Sequence, residues 1–305
     1  MVIAVEERLP MKNDSEFEKL YPFSGKEFSV DGERMHYLDE GEGKPILMVH
    51  GNPTWSFFYR NLVRDLRQNG HRCIAPDHIG CGFSTKPQNY PYTLARHIEN
   101  LDRLVAHLKL DDITLVVHDW GGAIGMGFAV RHPEKIRRIV ILNTAAFLSP
   151  HIPWRINICR LPLFGPLAIR GFNGFAKPAT KMATTQKGGL KKEIARGFLK
   201  PYGNWHDRVA NLRFVQDIPM KSSHPSYETL AAIEKELPRF RETPALICWG
   251  GKDFCFNDHF LERWRKEWPH AEVHRFENAG HYVLEDAYGE ILPLISNFCA
   301  GPKVD

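Results

Sequence analysis

Residues 113–122 read ITLVVHDWGG. The first half is a short apolar run rich in β-branched residues, as in a strand buried on both faces. The two glycines open a helical stretch, GAIGMGFAVRHP (122–133), that stops before Pro133. Asp119 therefore falls on the turn where a strand hands over to a helix, the place where a G-x-S-x-G turn would hold a serine nucleophile. Val117 stands where that pattern has its first glycine. Taken alone, an aspartate before a glycine-rich helix start also reads as a plain N-cap.

On either side of this turn, strands and helices alternate. FSVDGERMHYLD (28–39) reads as two strands about an Asp31-Gly32 turn, followed by the strands PILMVH (45–50) and RCIAP (72–76). Helical spacing runs through SFFYRNLVRDLRQNG up to Gly70 and through YTLARHIENLDRLVAHLKL (92–110). IRRIVILN (136–143), ALICWG (245–250) and AEVHRF (271–276) complete eight strands, with helices at 257–268 and 284–299. The pattern predicts a mostly parallel α/β sheet opened by a hairpin. About a hundred residues of helix-like segments broken by Pro and Gly interrupt it after strand six. The expected division is a core of 1–147 and 243–305, with 148–242 as a helical cap over the strand ends.

Two more residues give Asp119 a chemical context. Asp253 follows the strand ALICWG, and His281 follows the last strand in NAGHYVLED. Nucleophile, acid and histidine in that order at strand ends is the arrangement of the α/β-hydrolase fold. His50, His97 and His118 are read as structural. In HGNPTWSFFYR (50–60) the loop after the third strand would supply one oxyanion-hole N–H and Trp120 the other. The Asn52 amide and the Trp120 indole add neutral donors beside a leaving group.

The choice of aspartate specifies the bond attacked. A serine that displaced a group from sp³ carbon would form an ether, which water does not cleave under mild conditions. A carboxylate forms an ester, and His281 can activate water against its carbonyl while Asp253 orients the imidazole. Displacement at alkyl carbon is thus the expected first step.

Composition narrows the surroundings. A net charge of +4 is too mild to argue for nucleic acid. The basic stretch KGGLKKEIARGFLK (187–200) reads as a solvated helix face, with an acidic membrane surface as the other reading. Six cysteines (73, 81, 159, 248, 255 and 299) show no CxxC or zinc spacing and fit reduced thiols in the cytoplasm. MVIAVEERLPMKND has no signal-peptide pattern. No metal or cofactor is implied by the histidine spacing.

The motifs YLDEGEGKPILMVHGNPTWSFFYR, PDHIGCGFSTKP, VVHDWGG, LNTAAF and GHYVLEDA resemble the haloalkane dehalogenases of the α/β-hydrolase superfamily, across nearly the whole chain. That resemblance implies Asp119 as nucleophile, His281 as base, Asp253 as acid, and Asn52 with Trp120 as the halide-binding pair. A variant of the family has its acid as a Glu after strand six, where this chain has Asn143. DFCFNDHF and the YGNW to RFVQDIP region look like the third dehalogenase subfamily, which is similar to the β-lactone decarboxylases of bacterial long-chain olefin biosynthesis. The main expectation is release of halide and alcohol from a haloalkane. The alternative is a cis-alkene and CO₂ from a β-lactone, with self-association or assembly with olefin-biosynthesis enzymes implied. An epoxide hydrolase would need a proton donor, for which Tyr202 and Tyr227 are candidates, and a non-catalytic binding protein would be expected to lack part of the triad. In the insertion, IPWRINICRLPLFGPLAIRGFNGFA (152–176) suggests an apolar or long substrate. Phe147, Phe172, Trp154 and Trp205 are the pocket candidates.

Overall fold

The computed structural model describes residues 15–300, so the N-terminal stretch discussed above lies outside the described residues. The strands are β1 (Lys26–Val30), β2 (Glu33–Glu40), β3 (Lys44–Val49), β4 (His71–Pro76), β5 (Ile113–Asp119), β6 (Ile136–Thr144), β7 (Ala245–Gly250) and β8 (Glu272–Phe276). They form one sheet in the order β1-β2-β4-β3-β5-β6-β7-β8. β2 pairs antiparallel with β1 and β4, and the other pairs are parallel. Asp31 and Gly32 both have positive φ, 50° and 81°, as a tight hairpin turn between right-twisting strands requires.

Helices α1 (Ser15–Leu20), α2 (Arg60–Gln68), α3 (Leu94–His107) and α4 (Trp120–Arg131) precede or separate the first six strands. Between β6 and β7 lie α5 (Trp154–Ile158), a π-helical turn at Pro166–Gly171, α6 (Ala176–Met182), α7 (Lys192–Leu199), α8 (Val209–Gln216) and α9 (Tyr227–Glu236). The chain closes with α10 (Asp258–Glu267), α11 (Val283–Asp286) and α12 (Tyr288–Ala300); the expected single last helix is thus broken at Ala287. Burial explains the central strands. β5 and β7 are buried at every residue, because helices cover both faces and every side chain meets apolar neighbours. Two large apolar clusters, one on each face, form the core. The segment between β6 and β7 has a cluster of its own with just four buried residues, Cys159, Ile169, Leu212 and Val215.

Candidate active site

The turn after β5 is built by close approach. Asp119 takes φ 53° and ψ −128°, a costly conformation for a residue with a side chain. The β5–β6 register shifts between His118 and Asp119, and the Thr144 hydroxyl donates to the Asp119 carbonyl. Two residues on, a Cβ at Gly121 would lie 1.9 Å from the Val49 carbonyl oxygen, so α4 can start this near β3 only with glycine there. Val117, the departure from the serine pattern, is accommodated by Gly125 on α4, where a Cβ would come within 2.5 Å of the Val117 side chain. Asp119 stands at the N-cap position of α4, but its side chain makes no capping hydrogen bond there.

Instead, the Asp119 carboxylate faces the groups that sequence spacing singled out. Its Oδ1 accepts the Asn52 peptide N–H at 2.6 Å, and its Oδ2 lies 3.6 Å from His281 Nε2. His281 Nδ1 and Asp253 Oδ2 are 2.7 Å apart, and Asp253 Oδ1 accepts the Cys255 N–H at 2.6 Å. The three side chains are buried at the β5, β7 and β8 strand ends, with His281 hydrogen-bonded to Asp253 and within ion-pair distance of Asp119. Burial raises the Asp119 pKa above the usual carboxylate range, although His281 and the Asn52 and Trp120 N–H groups oppose this. For His281, burial alone would favour the neutral ring; the charge of Asp253, its hydrogen bond and Asp119 outweigh it and raise the pKa.

Asn143 occupies the position of the alternative acid. Its amide donates to the Gly250 carbonyl at 3.1 Å and accepts the Gly250 N–H at 2.7 Å, clasping β6 to β7. The histidines read as structural are buried in supporting positions. His118 Nε2 donates to the His281 carbonyl at 2.9 Å, and burial holds its pKa well below the usual value. His50 Nδ1 donates to the Gly51 carbonyl at 2.7 Å, behind the loop that carries Asn52. His97 stacks on Phe214 with ring centroids 4.5 Å apart.

Above the triad lies a cavity of about 370 Å³. Asp119, His281, Asn52 and Trp120 form its floor, and Phe147, one of the expected wall residues, contributes from the core. Asn52 Nδ2 donates to the Asn211 carbonyl at 3.2 Å, which leaves one amide N–H for the cavity. Three other candidates are misplaced by the sequence reading. Trp154, Phe172 and Trp205 are 67%, 78% and 45% exposed and lie outside the cavity wall. The insertion lines the cavity with Ile156, Phe175, Met182 and Val215 instead. Phe175 and Phe256, whose ring stacks 5.7 Å from that of His281, were missed; the doubled aromatic of DFCF beside Asp253 was the available signal. Of the tyrosines, Tyr282 lines the cavity, whereas Tyr202 and Tyr227 do not. No group of three or more His, Cys, Asp or Glu among the described residues is placed to hold a metal ion.

A strained strand-to-helix turn under an acid–histidine pair places the chain in one class: the profile of the alpha/beta hydrolase fold family matches residues 44–288, and the chain belongs to that family. Within it, the chain is 48% identical to a cis-3-alkyl-4-alkyloxetan-2-one decarboxylase of Shewanella oneidensis, over 92% of this chain and 89% of that protein. A protein of the same name from Xanthomonas campestris is 41% identical, with 91% and 96% covered. Haloalkane dehalogenase 2 of Mycobacterium tuberculosis is 32% identical, with 91% and 95% covered. A solved haloalkane dehalogenase from Bradyrhizobium elkani matches with a TM-score of 0.83 at 25% identity, with 92% and 98% covered.

Proposed function

We propose that this chain converts a cis-3,4-dialkyl β-lactone (an oxetan-2-one) into a cis-alkene and CO₂, with Asp119 as nucleophile. The observation that carries this reading is the likeness, at 48% and 41% identity, to two relatives named for that reaction, against 32% for the dehalogenase. The haloalkane reading expected from the motifs thus gives way to its alternative.

The chemistry balances without water. Asp119 attacks C4 of the lactone from behind, the C4–O bond breaks, and the ring oxygen leaves as a carboxylate still attached to C3. Backside attack sets the new C4–O(Asp119) bond anti to the C3–carboxylate bond. The C3–carboxylate electron pair then forms the C3=C4 bond, CO₂ departs, and the Asp119 carboxylate is released. Inversion followed by anti elimination keeps the two alkyl groups cis. Asn52 and Trp120, on the cavity floor, would hold the opening carboxylate. His281, supported by Asp253, would steady the charge on Asp119 before attack and after release.

Halide displacement is the second reading, favoured by the Asn52 and Trp120 donors beside Asp119. It shares the first step and differs in the second, where His281 must activate water against the ester. Epoxide opening lacks Tyr202 or Tyr227 in the cavity. The test is one purified enzyme given a long-chain cis-β-lactone, 1-bromobutane and a styrene-type epoxide. Alkene and CO₂ should form much faster than halide or diol. Halide without alkene would overturn the proposal, as would rapid diol formation.

A further inference from the structure

The basic stretch of the sequence belongs to a larger asymmetry. Residues 151–205 hold ten Lys and Arg and a single acidic residue, Glu193, whereas the remainder of the chain holds 30 basic against 35 acidic residues. The same segment carries nine of the ten large apolar side chains that are exposed among the described residues, all but Phe254. Leu163 is 84% exposed, and Leu161, Phe164 and Leu167 stand with it on the α5-to-π-turn hairpin. Monomeric domains rarely show such a concentration of apolar groups to water without a partner.

We propose that this face is an interfacial binding surface for an anionic lipid bilayer. Apolar contact and basic charge are the two signals that together hold a peripheral protein on a membrane, where either alone binds weakly. The exposed indoles are paired accordingly: the Arg155 guanidinium lies 5.1 Å over the Trp154 ring, and that of Arg170 lies 4.6 Å over Trp205. Such a pair presents an apolar ring with a cation at its side, the combination that suits the headgroup level. The net negative remainder would orient the molecule with this face toward the anionic surface. An anionic bilayer satisfies charge and apolar contact together, which an uncharged or basic partner does not.

Part of the cavity wall belongs to the same segment. α5 turns Ile156 into the cavity while Trp154 and Ile158 point outward. Met182 and Phe254 are both exposed and part of the cavity wall. A long-chain substrate dissolved in the bilayer would thus reach the site without crossing water. No described helix is long and apolar enough to cross a membrane, so the mode is surface attachment. Attachment itself depends on this surface alone, and delivery of substrate rests on the proposed function.

Vesicle flotation tests the attachment without any turnover. The full chain should float with vesicles of phosphatidylcholine mixed with phosphatidylglycerol, weakly with phosphatidylcholine alone, and less as salt is raised. Leu163→Asp/Leu167→Asp, at exposed positions, and Lys191→Glu/Lys192→Glu should each reduce binding about tenfold or more. Their unfolding temperature and their turnover of a short, water-soluble β-lactone should stay unchanged, while turnover of a long-chain lactone held in vesicles falls with binding. Equal flotation of the variants, or none by the native chain, would overturn the proposal. So would self-association lost in Leu163→Asp/Leu167→Asp without vesicle binding, which would make this face a contact between copies. Vesicle binding by a chain inactive on every lactone would leave the surface assignment standing and refute the function.

Discussion

The sheet and the segment inserted between β6 and β7 bury themselves by different means. β5 and β7 are enclosed at every residue between two large apolar clusters, whereas the insertion has four buried residues in a cluster of its own and leaves nine large apolar side chains in water. The groups proposed to react sit on the rigid part: Asp119 ends β5, Asp253 and His281 follow β7 and β8, and their separations of 3.6 and 2.7 Å depend on strand ends that packing holds in place. The insertion supplies most of the apolar roof. On the proposed function the two regions divide the labour: the sheet specifies the bond broken, and the insertion specifies what reaches it.

The largest effect on turnover is expected at Asp119. Asp119→Asn should lower alkene release by on the order of 10⁴ or more while leaving the unfolding temperature intact, since a side chain held in a strained turn serves chemistry. Steady-state assay and thermal unfolding check this, with peptide mass spectrometry over time to detect deamidation back to aspartate. Gly51→Ala comes next. Its new Cβ would lie 2.0 Å from Asp119 Oδ1, so the carboxylate or the Asn52 N–H must move, and a displacement of this kind costs about 10²-fold in kcat. A loss confined to KM would show that the loop binds substrate without placing the nucleophile.

Changes on the insertion side should be smaller and of another kind. Phe175→Ala enlarges the cavity wall and should shift the ratio of kcat/KM for long over short lactones by about tenfold, with kcat for the short one kept. Chain-length series measure it, and a fall in kcat for every chain length would place Phe175 in the chemistry. The smallest effect on activity is expected at the seam. Asp217, at the end of α8, accepts the Leu94 N–H at 2.8 Å and so ties the insertion to α3. Burial raises its pKa from 3.8 to about 6, against the Ser226 and Leu94 hydrogen bonds. The folded chain therefore binds this proton more tightly than the unfolded one. The contribution of Asp217 to stability falls as pH rises from about 4 to about 6, by on the order of 2–3 kcal/mol, and is constant above. Asp217→Asn should remove that slope from unfolding curves taken across the window; an unchanged slope would assign it to other groups.

The same division governs what was legible in the sequence. The strands could be read because parallel strands buried on both faces are continuous apolar runs, and because Asp31-Gly32 marks the hairpin. The positions of Asp119, Asp253 and His281 followed from their order at strand ends. What periodicity cannot supply is the facing of side chains in 152–176, where proline and glycine break every helix within two turns. Trp154, Phe172 and Trp205, the pocket candidates of the apolar insertion, each point to water, while Phe175 and Met182 line the cavity. The close packing at Gly51 was equally invisible, since it depends on Asp119, which is distant in sequence.

Oxygen exchange distinguishes elimination of the Asp119 ester from its hydrolysis. In the lactone reaction the Asp119 ester breaks at its alkyl carbon, so both carboxylate oxygens stay with the enzyme and no water enters. In a dehalogenation, water activated by His281 attacks the ester carbonyl and leaves its oxygen in Asp119. Many turnovers of a cis-β-lactone in H₂¹⁸O, followed by mass spectrometry of the peptide holding Asp119, should show alkene and CO₂ with no heavy oxygen in the aspartate. Label accumulating in Asp119 during lactone turnover would contradict the account, because it would mean that the ester is hydrolysed rather than eliminated.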